Sequence, residues 1–224
     1  MKRSELNSHL IAAVDFMEQM NFKLPPFAYF SPSEWSLLGD EYDEIRRASL
    51  GWDVTDFGSG DFNSVGLLLF TLRNGVHGNP EYTKPYAEKI MIVEENQVTP
   101  YHFHRYKTED IINRGGGVLL IKLYNSTEEE GLADTEVKIS KDGRRLRLPA
   151  GSVLKLLPGE SVTLPVKLYH SFWAEEGSGK VLVGEVSMVN DDRTDNRFLE
   201  PTGRFPEVEE DEPPVYLLAC EYQK

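Results

Sequence analysis

Along residues 4–20 the apolar positions Leu6, Leu10, Val14 and Met17 recur every three or four residues between polar ones, the spacing of a helix with one apolar stripe. Such a helix needs a larger body to lie on. A second helix start follows: Ser31 can cap it, Pro32 suits the first helical position, and Glu34 completes a capping box ahead of Trp35, Leu37 and Leu38. Beyond Trp52 the helical period disappears. The stretch DVTDFGSGDF reads as a turn-rich loop, VGLLLFTLRNG as a buried strand ending at Asn74-Gly75, and Pro80 and Pro85 punctuate the next loop.

Short strand patterns then arrive in succession at 89–95, 118–125, 136–140, 145–148, 152–157, 170–175 and 180–189. Lys141-Asp142-Gly143 between two of them is a hairpin turn signal, and no long helical pattern separates the strands as parallel crossovers would require. The expected fold is therefore all-β, an antiparallel sandwich or barrel. After Asn190 the chain is acidic, proline-bearing and aperiodic, and VYLLACEY reads as a closing strand that would make the acidic stretch pack. One domain over 1–224 is expected, with 1–50 as a helical N-terminal extension and 52–224 as the β-barrel.

Composition narrows the function. With 224 residues, 40% hydrophobic and 27% charged, the chain can bury one sizeable core. A net charge of −13 argues against a nucleic-acid or anionic-membrane partner, which would need a clustered positive field. A small, uncharged or cationic ligand fits better. Polar residues interrupt the N-terminal apolar ones too often for a signal-peptide core, and no stretch approaches ~20 apolar residues, so a cytoplasmic location is expected. Cys220 is the only cysteine, which leaves no intramolecular disulfide and no thiolate cluster. It is expected as a small buried hydrophobe.

The segment NQVTPYHFHRYKTEDIINRGGG holds the chemistry. His102 and His104 are two apart, so on an extended strand both imidazoles project from one face. Glu109 follows at a distance that a turn into the next strand could bring back to the same ion. A second segment, GESVTLPVKLYHSFWAE, contains Gly159, Pro165 and His170. Together the two stretches resemble the paired motifs of the cupin superfamily, at His102, His104, Glu109 and Gly116 in the first and at Gly159, Pro165 and His170 in the second. Asn96, Lys167 and Ala174 stand where those motifs carry glycine, glycine and asparagine. The resemblance implies a jelly-roll barrel with a metal on three histidines and one glutamate. Such ligands suit manganese, iron, cobalt, nickel or zinc.

The chain as a whole resembles the D-lyxose isomerase family of cupins through DVTDFGSGDF, VGLLLFTLRNG, EKIMIVEENQVTPYHFHRYKTEDIINRGGG, VNDDRTDNRF and GRFPEVEEDEPP. That resemblance implies a manganese-dependent homodimer interconverting D-lyxose with D-xylulose and D-mannose with D-fructose. The reaction requires an electrophile, a base and an acid. Lys107, between His104 and Glu109, is the expected proton donor or oxyanion partner. The acidic run supplies the expected base, Glu209 first and Glu207 second. Lys89, Asp192 and Arg204 are candidates for hydrogen bonds to sugar hydroxyls. His9 and His77 read as structural or surface residues, and Trp52, Phe172 and Trp173 as core aromatics. Two other readings share the ligand set: a cupin dioxygenase with a redox metal, and a non-catalytic sugar-binding cupin.

Overall fold

A computed structural model describes residues 1–76, 78–189, 191, 194–203 and 206–222; His77, Asp192 and Arg204 lie outside the described residues. Helix α1 spans Arg3–Gln19, α2 Pro32–Trp35 and α3 Asp43–Arg47. The strands are β1 Gly51–Thr55, β2 Leu67–Arg73, β3 Tyr86–Val93, β4 His102–His104, β5 Glu109–Gly116, β6 Leu119–Ser126 and β7 Leu132–Ala133. They continue as β8 Val137–Lys141, β9 Arg144–Leu148, β10 Val153–Leu156, β11 Ser161–Leu164, β12 Leu168–Ala174, β13 Val181–Met188 and β14 Asn196–Phe198. All named pairings are antiparallel, in one sheet ordered β1-β2-β3-β13-β5-β11-β8-β9 and a second ordered β10-β6-β12-β4-β14, with β7 beside β6.

The period-two alternation of strands decides what each face carries. Leu67 and Leu69 of β2, Met91 and Val93 of β3, and Val181 and Val183 of β13 point between the sheets. There they join Ile111, Leu119, Ile121, Leu123 and Phe172 in one core. The intervening Leu68, Phe70, Ile90, Ile92 and Leu182 point outward and meet Leu6, Leu10, Ala13, Phe16 and Met17 of α1 in a second core. Both faces of β2 and β3 are therefore buried, which explains why their sequences are nearly continuous apolar runs. Truncating one of these side chains to alanine costs about 2–5 kcal/mol.

The stripe on α1 is one residue away from the expected one at a single position: Ala13 and Phe16 are buried, whereas Val14 is only partly so. The capping box at Ser31 and Glu34 forms, but α2 is a single turn. The hairpin turn after Lys141 forms with Asp142 at φ 50° and Gly143 at φ 76°, as a two-residue primed turn requires. Three expectations about single segments fail. DVTDF is not a loop throughout, because Gly51–Thr55 pairs along β2. VYLLACEY is not a strand: Leu218 makes one isolated bridge to Trp52, a 3-10 turn follows at Ala219–Glu221, and Cys220 is exposed rather than buried. Trp52 and Phe172 are core aromatics as expected, whereas Trp173 is only half-buried.

Candidate metal centre and active site

Strand β4 is three residues long and carries the paired histidines. Phe103 between them points the other way and packs on Tyr169 at 4.8 Å, so His102 and His104 share the inner face. His170 on β12 is the cross-strand partner of His102, and their rings are 4.2 Å apart. Asn96 and Lys167, standing where the cupin motifs carry glycine, adopt φ 59° and 60°, the left-handed region that glycine enters most easily. The Lys167 N–H donates to the His104 carbonyl at 2.9 Å, which holds that turn against the histidine strand.

Each imidazole is oriented from behind. His102 Nδ1 lies 2.9 Å from the Pro100 carbonyl, His170 Nδ1 3.0 Å from the Leu168 carbonyl, and His104 Nδ1 3.5 Å from Asp195 Oδ2. A carbonyl can only accept, so the first two Nδ1 atoms carry hydrogen and their Nε2 lone pairs face inward. The three histidines offer ligand atoms within 4.8 Å of one another. Glu109 Oε1 lies 3.2 Å from His170 Nε2, and Oε2 lies 3.3 Å from His104 Nε2. Acceptors thus converge on acceptors, an arrangement that repels itself unless a cation or proton sits among them. Nitrogen ligands with outer-side partners and one carboxylate suit a divalent transition metal, so the donor set fits the ion the cupin resemblance implies.

The titration tendencies agree. Burial pulls His102 well below an ordinary imidazole, reinforced by His170 and His104, so it stays neutral. For His104, burial works against protonation, yet Glu109 and Asp195 outweigh it and raise its pKa. Positive charge is favoured at that point. Burial would lift the Glu109 carboxyl, but His104 and Lys107 together hold it well below the usual carboxylate range.

Beside the histidines runs a buried chain of alternating charge. Lys107 Nζ lies 2.9 Å from Glu109 Oε2 and donates to Glu185 Oε1 at 2.7 Å; Lys89 Nζ lies 3.4 Å from the same Glu185 oxygen. The Ser187 hydroxyl donates to Glu185 at 3.0 Å. Lys89, Lys107, Glu109 and Glu185 are all at most 6% exposed. Their meeting follows from register: Glu185 is the cross-strand partner of Lys89, and Ser187 of Glu109. Burial would raise the Glu185 carboxyl, but Lys107 and Lys89 outweigh it and keep it ionised. Asp195, also buried, accepts the Tyr106 N–H at 2.7 Å and so fixes the turn that carries Lys107. With neutral imidazoles, the carboxylates of Glu109, Glu185, Asp195 and Asp53 outnumber the ammonium groups of Lys89 and Lys107, a deficit that a cation would fill.

The three histidines, Glu109, Lys107, Glu185 and Lys89 line a cavity of about 270 Å³ with Asp53, Thr55, Asn196, Phe57 and Phe198. It lies just below the ~300–1,000 Å³ range of ordinary ligand pockets and suits a metabolite of monosaccharide size. Of the residues singled out in the sequence, Lys89, Lys107, His102, His104, Glu109 and His170 all line it. Glu207 and Glu209 do not. The Met1 ammonium donates to the Glu207 carbonyl at 3.0 Å, and the Arg3 N–H to the Glu209 carbonyl at 2.9 Å. The rest of the acidic run is bound to the start of α1: Glu210 to Arg3, Asp211 to the Ser4 N–H, Glu212 to Asn7. Carboxylates at a helix N-terminus satisfy its open N–H groups and its dipole, which is why this segment packs there instead of over the cavity mouth. Glu185 and Asp195 were missed. For Glu185 a signal existed, since it continues the inward phase of Val181 and Val183 into the polar end of the strand; for Asp195 there was none.

The sequence model of the D-lyxose isomerase family matches residues 1–222. A D-lyxose/D-mannose isomerase of Serratia proteamaculans is 54% identical over 223 residues, covering 99% of this chain and 98% of that protein. One of Escherichia coli O157:H7 is 52% identical over 225 residues, covering 100% and 99%. Among solved structures, the ligand-free L-ribose isomerase of Cellulomonas parahominis superposes with a TM-score of 0.61 at 16% identity, over 93% of this chain and 98% of that one. The L-ribose isomerase of Geodermatophilus obscurus gives 0.57 at 19% identity, over 88% and 92%. The structural likenesses establish a shared cupin-like fold, and the full-length matches establish that this chain belongs to the D-lyxose isomerase family.

Proposed function

We propose that this chain interconverts free aldoses and ketoses, D-lyxose with D-xylulose and D-mannose with D-fructose. It would use one divalent ion, manganese foremost, held by His102, His104, Glu109 and His170. The observation that carries the reading is the convergence of three outwardly pinned imidazoles and Glu109 beside the buried Lys107–Glu185–Lys89 chain. The names borne by the relatives above supply the sugars. When bound, the metal would polarise the substrate carbonyl and stabilise the charge of the enediolate.

The chain's own residues then divide the proton work. Glu185 is an ionised carboxylate lining the cavity, and it replaces Glu209 and Glu207 as the base. It takes the proton from C2 while the C2–H electrons form the C1–C2 double bond and the carbonyl pair moves to O1. The proton on O2 then passes to O1, the O2 electron pair forms the C2 carbonyl, and the C1–C2 pair takes the proton back from Glu185 at C1. A single carboxylate on one side of the enediol suffices for both transfers. Lys107, bracketed by Glu109 and Glu185, donates a hydrogen bond to the oxygen on which charge develops. Lys89 holds Glu185 in its charged form and reaches the sugar hydroxyls. Asp192 and Arg204 stand as sequence-based proposals for further hydroxyl contacts.

We further infer, from the family resemblance, a cytoplasmic homodimer acting without nucleic acid or membrane. No helix among the described residues is long and apolar enough to cross a membrane. The deciding experiment is turnover of the metal-loaded protein on a panel of free pentoses and hexoses in D₂O, followed by NMR. Ketose product with deuterium at C1 is the expected result. Oxygen consumption would instead indicate a dioxygenase, and absence of turnover on every sugar a binding protein.

A further inference from the structure

Opposite the charged chain, the cavity is closed by aromatic side chains. Phe198 packs on His102 with ring centroids 5.4 Å apart, and Phe57 packs edge-on against Phe198 at 5.8 Å. Phe57 is far along the barrel from Lys89. Thr71, the partner of Lys89, stands four residues along β2 from Leu67, the partner of Thr55, a span of about 13 Å in a strand; Phe57 lies two residues beyond Thr55. A sugar whose first two carbons sit at the histidines would extend its tail towards this wall.

The wall is built to stay in place. Phe57 holds φ 53°, an outlier for a bulky side chain that persists only where its surroundings impose it. Its N–H donates to Thr55 Oγ1 at 3.0 Å, and its carbonyl accepts the Gly203 N–H at 2.9 Å. Behind it Gly58 and Gly203 cross without side chains: a Cβ on Gly58 would lie 2.9 Å from the Gly203 nitrogen, and one on Gly203 2.9 Å from the Gly58 Cα. Backbone pressed on backbone fixes the turn that carries Phe57, at a φ that glycine would adopt without strain.

We infer that Phe57 determines substrate length, its ring forming the stop against which the last carbon of the sugar abuts, so that it sets the balance between pentose and hexose. This rests on the sugar-isomerase reading of the same cavity. A methylene's worth of fit in an apolar pocket changes discrimination by roughly 10–200-fold. Phe57→Gly, which suits the left-handed backbone, and Phe57→Leu should therefore raise the ratio of kcat/KM for D-mannose over D-lyxose about tenfold, with metal content unchanged. A readout free of chemistry accompanies it: titration calorimetry of the metal-loaded protein with D-arabinitol and D-mannitol, where the six-carbon polyol should gain on the five-carbon one in both variants. Ratios within twofold of the parent for either folded variant, in turnover and in polyol binding, would overturn the inference while leaving the isomerase reading intact. A parent protein that turns over neither sugar would overturn both.

Discussion

Replacing Glu185 by glutamine keeps the side chain's size and its contact with the Ser187 hydroxyl but removes the charge between two ammonium groups at 2.7 and 3.4 Å. Two separate losses follow. Removing a positioned general base costs about 10²–10⁴ in rate, roughly 2.7–5.4 kcal/mol of barrier. Stability falls as well, because Lys107 and Lys89, at 2% and 6% exposure, both lose the carboxylate they share. Breaking a buried pair from one side costs about 3–5 kcal/mol, and at ~2–4 °C per kcal/mol for a domain of this size the Tm should fall by about 6–20 °C. Metal content should stay stoichiometric, since the three imidazoles and Glu109 are untouched. The double variant Glu185→Gln/Lys107→Met removes one charge of each sign and should recover much of the Tm while remaining inactive. Initial rates, metal analysis and thermal melts on the parent and both variants give all the quantities. A Glu185→Gln protein with full metal and kcat within tenfold of the parent would refute its role as base; an unchanged Tm would refute the energetic account of the charge chain.

His102→Ala and His170→Ala should each lower metal content and abolish turnover, and chelated parent protein should recover better with manganese or cobalt than with magnesium, as imidazole-rich sites prefer transition ions; equal rescue by magnesium would mean the histidines are not ligands. Glu209→Ala and Glu207→Ala should leave kcat within about twofold of the parent, because neither side chain lines the cavity; a loss approaching the ~10²-fold expected of a general base would restore the acidic run to the mechanism. Arg3→Met should lower the Tm while sparing kcat, since Arg3 ties α1 to Glu210 and Glu221. Arg3 holds Glu210 below its ordinary pKa of 4.5, so that contribution is present above about pH 4.5 and fades as pH falls through the lower folded value. Parent and Arg3→Met melting curves should accordingly converge in acid, and parallel curves down to pH 3 would remove Glu210 from the account.

What the sequence disclosed depended on whether the signal was local. His102 and His104 share a strand face by spacing alone, and the apolar runs at β2, β3 and β13 announce strands buried on both sides. Strands β5 and β11 were harder to see, because Glu109, Asp110, Asn113 and Ser161 break the apolar alternation where it borders the site. Strand β14 sits in a stretch rich in charge and exists because Asn196 and Phe198 pair with His104 and His102. The acidic run misled for a related reason. Composition marked it as a store of carboxylates, but which positive groups it would meet depended on the N-terminus, some 200 residues away in sequence. Asp195 was invisible on the same ground, since its role is set by the backbone it captures at Tyr106.

The helical extension has a consequence for the site that neither sheet explains. Lys89 and Glu185 stand on β3 and β13, whose next residues outward are Ile90 on one and Gly184 on the other, with Ile92 and Leu182 further along. Ile90, Ile92 and Leu182 bury against Leu6, Leu10, Phe16 and Met17 of α1. The two strands are thus gripped from behind by the helix while their inner faces present opposite charges to the cavity. A buried ion pair gains from its geometry only if the backbone beneath cannot relax, and a functional group is best held by rigid elements with packed support. The acidic segment that binds α1 through Arg3, Ser4 and Asn7 completes the grip. Its carboxylates therefore serve stability, by anchoring the helix packed behind the strands that carry Lys89 and Glu185.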